Sequence, residues 1–288
     1  MKEIRVKKWL FMVALMTVFT ARAQQDTATT PTYGWTHSLV SSLTATQVSY
    51  TDWSQGGDNA LAYAISIDGK STKSSEFINW ANGYKFAYGQ TRLGDQGFRK
   101  TDDRIDIASE VSYKTGWILN PYFSATLKSQ FTRGYKYDAT GTSTAVSDFF
   151  DPAYLTQTAG VTYQPMPEVK TRLGAGLREI LAPKFALLYT DDPTTSDLEK
   201  SKVDGGLESV TEVNWKIAEN ILFTSKLELF DAFKHLDQVI VRNDNMLTMK
   251  INKYLVTTVE VQLINERQIS PKTQIKQTLS LGFSYTLI

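Results

Sequence analysis

The chain has 288 residues, 42% hydrophobic and 21% charged, with a formal net charge of +1 and no cysteine. That balance gives no electrostatic case for a nucleic-acid partner, and the lack of cysteine excludes a disulfide framework. No run approaches about 18 apolar residues, so no transmembrane helix is expected.

The first element is a leader. "MKEIRVKK" is basic, "WLFMVALMTVFT" is apolar, and "ARA" at 21–23 is a small-x-small cleavage signal. Together they form a secretory signal peptide over residues 1–23. Its removal takes away five basic residues and one acid, so the net charge moves from +1 to −3. A short segment, 24–34, then precedes a single β domain expected over 35–288.

From there the chain alternates with period two, the pattern of half-buried strands. The first segment, about 36–51, changes phase between Leu39/Leu43 and Val48/Tyr50, which predicts a bulge near 45–47. Next come Leu61, Tyr63, Ile65 and Ile67; Ile78, Trp80, Tyr84, Phe86 and Tyr88; and Ile105, Ile107, Val111 and Tyr113. The fifth to seventh are carried by Phe123 to Phe131, Leu155 to Tyr163, and Val169 to Leu177. The eighth and ninth follow at Leu207 to Ile217 and Ile221 to Leu229, and the tenth at Leu247 to Ile251 after a poorly patterned stretch, 233–245. Leu255 to Leu263 and Leu279 to Leu287 complete a set of twelve.

The connections alternate in length. "DGKSTKSS", "KTGWILNP", "YQPMPE", "AEN" and "NKY" are turns, whereas "TDWSQGGDN", "QTRLGDQGFRKTDD", "KYDATGTSTAVSDFFDP" and "APKFALLYTDDPTTSDLEKSKVD" are loops. A soluble sandwich has no reason to segregate them. An outer-membrane barrel does, with short periplasmic turns and long external loops. The expected fold is therefore all-β, an antiparallel transmembrane barrel of about twelve strands with both termini periplasmic. Every backbone polar group then pairs within the sheet, the outer face is apolar, and the inner face need not be. Trp35, Trp80, Tyr88, Trp117, Tyr122, Tyr163 and Trp215 fit girdles at the two interfaces. Ser280, Gly282, Tyr285 and Leu287 resemble the C-terminal assembly signal of such barrels, with Ile288 where many end in Phe.

The inward positions carry Lys85, Arg104, Asp106, Glu110, Lys128, Lys170, Arg172, Arg178, Glu212, Lys226 and Glu228, with Glu208, Lys250 and Glu260. Rings of one sign would indicate an ion-selective pore. Mixed signs on adjacent strands predict cross-strand ion pairs in a narrow lumen, intermediate between filled eight-strand and open sixteen-strand barrels.

Catalytic and metal constellations are weak. His37 faces outward near the short-turn rim, and Ser41 on the same face lies about 13 Å away at about 3.3 Å per residue, beyond nucleophile-base contact of about 3 Å. The neighbouring outward sets offer no other serine, so His37 reads as a girdle residue. His235 beside Asp237 lacks metal-ligand spacing, and Asp102/Asp103 and Asp191/Asp192 match no calcium loop. No cofactor, metal site or enzymatic activity is expected.

Several stretches together resemble DUF3078, a family of outer-membrane proteins of Bacteroidota: "WTHSLVSSLTATQVSYTDWSQGGDNALAY", "FRKTDDRIDIASEVSYKTG", "SQFTRGYKYD", "SDFFDPAYLTQTAGVTYQP" and "MLTMKINKYLVTTVEVQL". "LINERQ" departs from the Tyr-Asp pair usual after the penultimate strand. The resemblance implies a barrel and an outer-membrane address in a Gram-negative cell, and brings no active site. The expected function is a small-solute channel or an envelope scaffold. The alternatives are a closed-lumen module binding through "DWSQGGDN" and "GFRKTDD", and a lipid-acting enzyme. Expected partners are outer-membrane lipid and lipopolysaccharide, the barrel-assembly machinery and other envelope proteins, with no nucleic acid.

Overall fold

The computed structural model describes residues 33–50, 58–138, 140–192, 194–234 and 236–287. The leader, "DWSQGG", His235 and Ile288 lie outside them. Twelve strands close into one antiparallel barrel: β1 (Gly34–Val48), β2 (Ala60–Ser74), β3 (Ile78–Leu93), β4 (Arg99–Tyr113), β5 (Leu119–Ser129), β8 (Ala153–Met166), β9 (Val169–Leu181), β10 (Ser201–Ala218), β11 (Ile221–Ala232), β12 (Ile240–Lys250), β13 (Leu255–Asn265) and β14 (Gln274–Thr286). Each strand pairs with its neighbours in chain order, and β14 returns to β1. Among the described residues, no helix is long and apolar enough to cross a membrane.

Two small elements sit in the loops. The β5–β8 connection contains a separate hairpin, β6 (Gly134–Tyr137) and β7 (Ser143–Ser147), and the β9–β10 connection contains α1 (Ala186–Tyr189). Five connections, at 75–77, 114–118, 167–168, 219–220 and 251–254, are turns on one rim. Of the others, 94–98 is shorter than expected because β3 and β4 run on to Leu93 and back to Arg99.

The alternation separates two faces. Leu43, Ile65, Leu173, Leu177, Leu207, Leu279, Leu281 and Phe283 stand exposed on the outside, while Ser124, Thr158, Arg172 and Glu208 on the opposite parity are buried inside. Trp35, Trp80, Trp117, Tyr163 and Trp215 are also exposed. Tyr122 departs from the girdle reading: it points inward, 4% exposed, under the Arg172 guanidinium 5.7 Å from its ring centre. Gly174 leaves that ring its space, since a Cβ there would lie 2.7 Å from the Tyr122 Oη.

The predicted bulge at 45–47 is absent. β1 pairs with β2 without a shift from Gly34↔Ser74 to Val48↔Ala60. The apparent phase change arises because Val48 lies at the strand's far end, past the stretch where β1 is flanked on both sides. β1 meets β14 over only five partner pairs, Val40↔Thr286 to Thr44↔Gly282. The tenth barrel strand reaches back to Ile240, taking in residues that read as irregular because Asn243 and Asn245 occupy its outward parity.

Candidate functional site

The inward charges meet, but mostly not along neighbouring strands. Glu110 on β4 receives Lys170 Nζ at 2.5 Å and Arg172 Nη1 at 2.7 Å from β9, although β5 and β8 stand between these strands in the wall. Arg172 Nε also lies 4.0 Å from Glu208 on β10, and Glu208 accepts a hydrogen bond from Thr158 at 2.9 Å. Lys128 on β5 reaches Glu228 on β11, whose second oxygen is 2.8 Å from Lys226 Nζ. Arg104 on β4 approaches Asp244 on β12 and Glu260 on β13, at 3.8 Å each.

Nearer the long-loop rim, Glu266 is clamped between Arg178 Nη2 at 2.7 Å and Arg242 Nη2 at 3.0 Å. Both guanidiniums also lie over the Tyr154 ring, at 5.2 and 4.9 Å from its centre. Lys276 on β14 meets Asp102 on β4 at 2.9 Å.

This corrects the adjacent-strand expectation in part, since Arg172 does approach Glu208 on the next strand. Lys85 and Lys128 do flank Asp106 in register, yet Lys85 pairs with Asp68 on β2 at 3.7 Å and Lys128 with Glu228. Lys170 is Glu212's register partner but points to Glu110. Long side chains on a curved wall project toward the axis, so the nearest opposite charge is across the lumen rather than beside it. Glu266 and Arg242 carry no period-two signal in the sequence, because one follows the last patterned residue of its strand and the other lies in the poorly patterned stretch.

Burial divides the network. Glu266 is 1% and Arg178 and Arg172 each 6% exposed, whereas Asp68, Asp244 and Lys276 keep 45%, 42% and 39%. The void among Lys128, Tyr154, Arg178, Glu228 and Arg242 is ≈ 40 Å³, room for a few water molecules. Arg178 Nη1, buried without a protein partner, borders it.

The long-loop rim is held by three carboxylates. Asp103 accepts the backbone N–H groups of Phe131 (2.7 Å) and Thr132 (2.9 Å), the Thr132 hydroxyl (2.7 Å) and Lys100 Nζ (2.9 Å). Asp151 accepts the Lys184 N–H at 2.7 Å. Lys184 Nζ and Arg133 Nη2, each 2.9 Å from Asp148, together with the Phe149 N–H, hold the Asp148 carboxyl well below the usual carboxylate range. Thus Asp103 and Lys100 of "GFRKTDD" anchor the loop at 131–132, while Gly97, Phe98 and Thr101 of the same stretch are exposed.

His37 has a partner that the sequence did not suggest. Its Nδ1 lies 2.9 Å from Ser71 Oγ on β2, because Ser71 is its direct register partner. The Tyr84 hydroxyl donates to the same oxygen at 2.6 Å, and Trp35 stacks on the imidazole at 5.6 Å. No group among the described residues orients the far ring nitrogen, so this geometry matches a hydrogen-bonded rim cluster rather than an activated nucleophile. Among the described residues, no group of His, Asp or Glu is arranged to hold a metal.

The C-terminal residues close the sheet. Ser280 is 2.5 Å from Thr258 across β13. Gly282 lets β14 approach β1, since a Cβ would strike the Leu43 carbonyl oxygen. Tyr285 and Leu287 face outward, and the Leu287 N–H donates to the Leu39 carbonyl at 2.7 Å.

This strand order, with "FRKTDD" entering β4, is what the family comparison meets. Residues 45–135 match the model of the DUF3078 family, described as protein of unknown function. The DUF3078 match runs from the end of β1 into β6; "DPAYLT" and "MLTMKINKYLVTT" lie beyond it. No curated protein matches the sequence. Solved structures similar to the chain include the translocator domain of the autotransporter NalP from Neisseria meningitidis, with 12% identity, coverage of 98% of this chain and 94% of that one, and TM-score 0.36. An outer membrane channel from Pseudomonas putida F1 has 8% identity, 93% and 100% coverage, and TM-score 0.40. The fold itself rests on the strand order above.

Proposed function

We propose that this chain is an outer-membrane barrel with a closed lumen that presents its long loops as a binding surface. The observation that carries the reading is the set of ion pairs bridging non-adjacent strands, several of them buried, with a void of ≈ 40 Å³ beside Lys128, Glu228 and Arg178. A solute would have to part these pairs, and separating buried opposite charges is costly. The carboxylate-anchored loops supply a firm platform, which lowers the ordering cost of binding.

The apolar exterior supports a membrane location, since lipid tails offer no hydrogen bonds and the antiparallel ladders pair the backbone within the sheet along most of each strand. In this reading the leader is a cleaved signal peptide, the termini and short turns are periplasmic, lipid and lipopolysaccharide surround the wall, and the C-terminal residues are read by the assembly machinery. No catalytic role is assigned.

A gated small-solute channel is the second reading. It is favoured by the solvated charges Asp68, Asp244 and Lys276. Conductance of refolded residues 24–288 in a planar bilayer separates the two. Silence from a folded barrel is expected; discrete ion-selective steps would establish the channel and sink the closed-lumen reading.

A further inference from the structure

The β1–β14 seam is the shortest junction in the wall, five partner pairs against 15 between β1 and β2 and ten between β13 and β14. Both strands continue past the last pair, Thr44↔Gly282. β1 runs on to Val48, paired only with β2, and β14 runs back to Gln274, paired only with β13. Residues to extend the ladder are present: continuing the register would set Ala45 opposite Leu281 and Thr46 opposite Ser280. The sheet stops pairing there nonetheless.

The outward face along this gap is mostly apolar. Leu279 is the most exposed large apolar residue of the strand at 76%, with Leu281 next to it and Ile275 further along also exposed, while Gln277 and, on β1, Gln47 share this face. These residues continue the stripe that begins at Tyr285 and Phe283, so the gap falls within the face assigned to lipid. On the inward face Thr46, Thr278 and Ser280 line the two edges, with Val48 and the Asp102-paired Lys276 at the gap's far end. β2 offers only Ala60, Ala62 and Ala64, the register partners of Val48, Thr46 and Thr44. An edge of unpaired N–H and C=O groups facing hydrocarbon costs several kcal/mol per group. Acyl chains cannot satisfy it; water or a polar head group can.

We infer that this gap is a lateral portal through which a membrane amphiphile passes its head group into the solvated side of the lumen, its acyl chain remaining among Leu279, Leu281 and Ile275. The inference rests on the membrane reading above. It is compatible with a lumen closed along its axis, because the portal opens sideways.

The cysteine-free chain permits a direct test on the refolded protein. Ser42→Cys with Ser284→Cys, opposite each other in the paired stretch, closes readily under mild oxidation. Thr46→Cys with Ser280→Cys closes about tenfold more slowly, since Cα atoms more than about 7 Å apart cannot be bridged without backbone movement. Equal rates would show a zipped seam and overturn the portal. Entry is then read by bimane labels in vesicles of phosphatidylcholine spin-labelled at the head group, and membrane insertion by the same labels in phosphatidylcholine with brominated acyl chains. Head-group quenching of a label at Ser280→Cys about threefold above one at the inward, distant Thr248→Cys supports the portal, and equal quenching overturns it. A label at the outward Leu281→Cys is quenched by the brominated chains in any membrane-inserted barrel, so its failure to respond would overturn the membrane reading itself.

Discussion

Glu266 carries two arginines on one carboxylate, so its neutralisation leaves the buried Arg178 and the partly buried Arg242 without their counter-charge. Glu266→Gln is expected to destabilise the barrel by about 3–5 kcal/mol, the range for breaking a buried ion pair from one side, as read from urea unfolding in detergent. Asp68→Asn removes half of a solvated pair and is expected to shift the same curve by at most about 1 kcal/mol. Equal effects would mean that the burial contrast has no energetic content. Asp148 gives the pH dependence. Its carboxyl is held below the ordinary range by Lys184, Arg133 and the Phe149 N–H, so its contribution is present above the unfolded pKa of about 3.9 and disappears as pH falls through the lower folded value. Proteolysis by pepsin within 131–151 should therefore stay slow at pH 4 and accelerate only in stronger acid, while Asp148→Asn is cut faster at both. Parity in the sequence revealed which charges point inward. It could not reveal their partners, because Glu110 and Arg172 are brought together by closure of the wall and not by adjacency along it.

At the scale of elements, β5 and β8 pair directly from Leu119↔Tyr163 to Lys128↔Tyr154, so the β6–β7 hairpin is an excursion from the wall. Replacing 134–147 by a short Gly-Ser linker should leave the barrel's unfolding midpoint in place while loosening the loop joined through Asp148 and Lys184; loss of folding would show that the hairpin templates the wall. β8 and β9 behave differently. Gly174→Ala places a methyl against the Tyr122 hydroxyl and the Ala159 carbonyl, and overpacking of this kind costs about 1–3 kcal/mol. The ladder order was legible because period-two alternation is a local property. The hairpin was hidden because a four-residue strand such as "GYKY" has no measurable period, and the phase change in β1 misled because a strand's tip is not bound by the faces that constrain its middle.

For the whole molecule, closure is set by side chains rather than by strand number. Removing both members of one bridge, Lys128→Ala with Glu228→Ala, enlarges the space beside Arg178 and Arg242. If the network is the barrier, this double variant should show conductance steps where the parent is silent; continued silence would place the block at the external loops. Either answer leaves the architecture intact, which is why twelve legible strands still left the function to be argued from contacts that only the closed barrel creates.

The bridge between Lys276 and Asp102 joins residues 174 positions apart, and Arg104 likewise waits for Asp244 and Glu260. An unfinished chain can therefore build much of the wall while its interior charges stay unmatched and hydrated. Folding contacts of such sequence separation form late, because their loop-closure entropy must be met first. The final strand thus completes two things in one event, the circular ladder and the Lys276–Asp102 pair, so a truncated or stalled chain keeps an open edge and an unmatched Asp102 until its last thirteen-residue strand arrives.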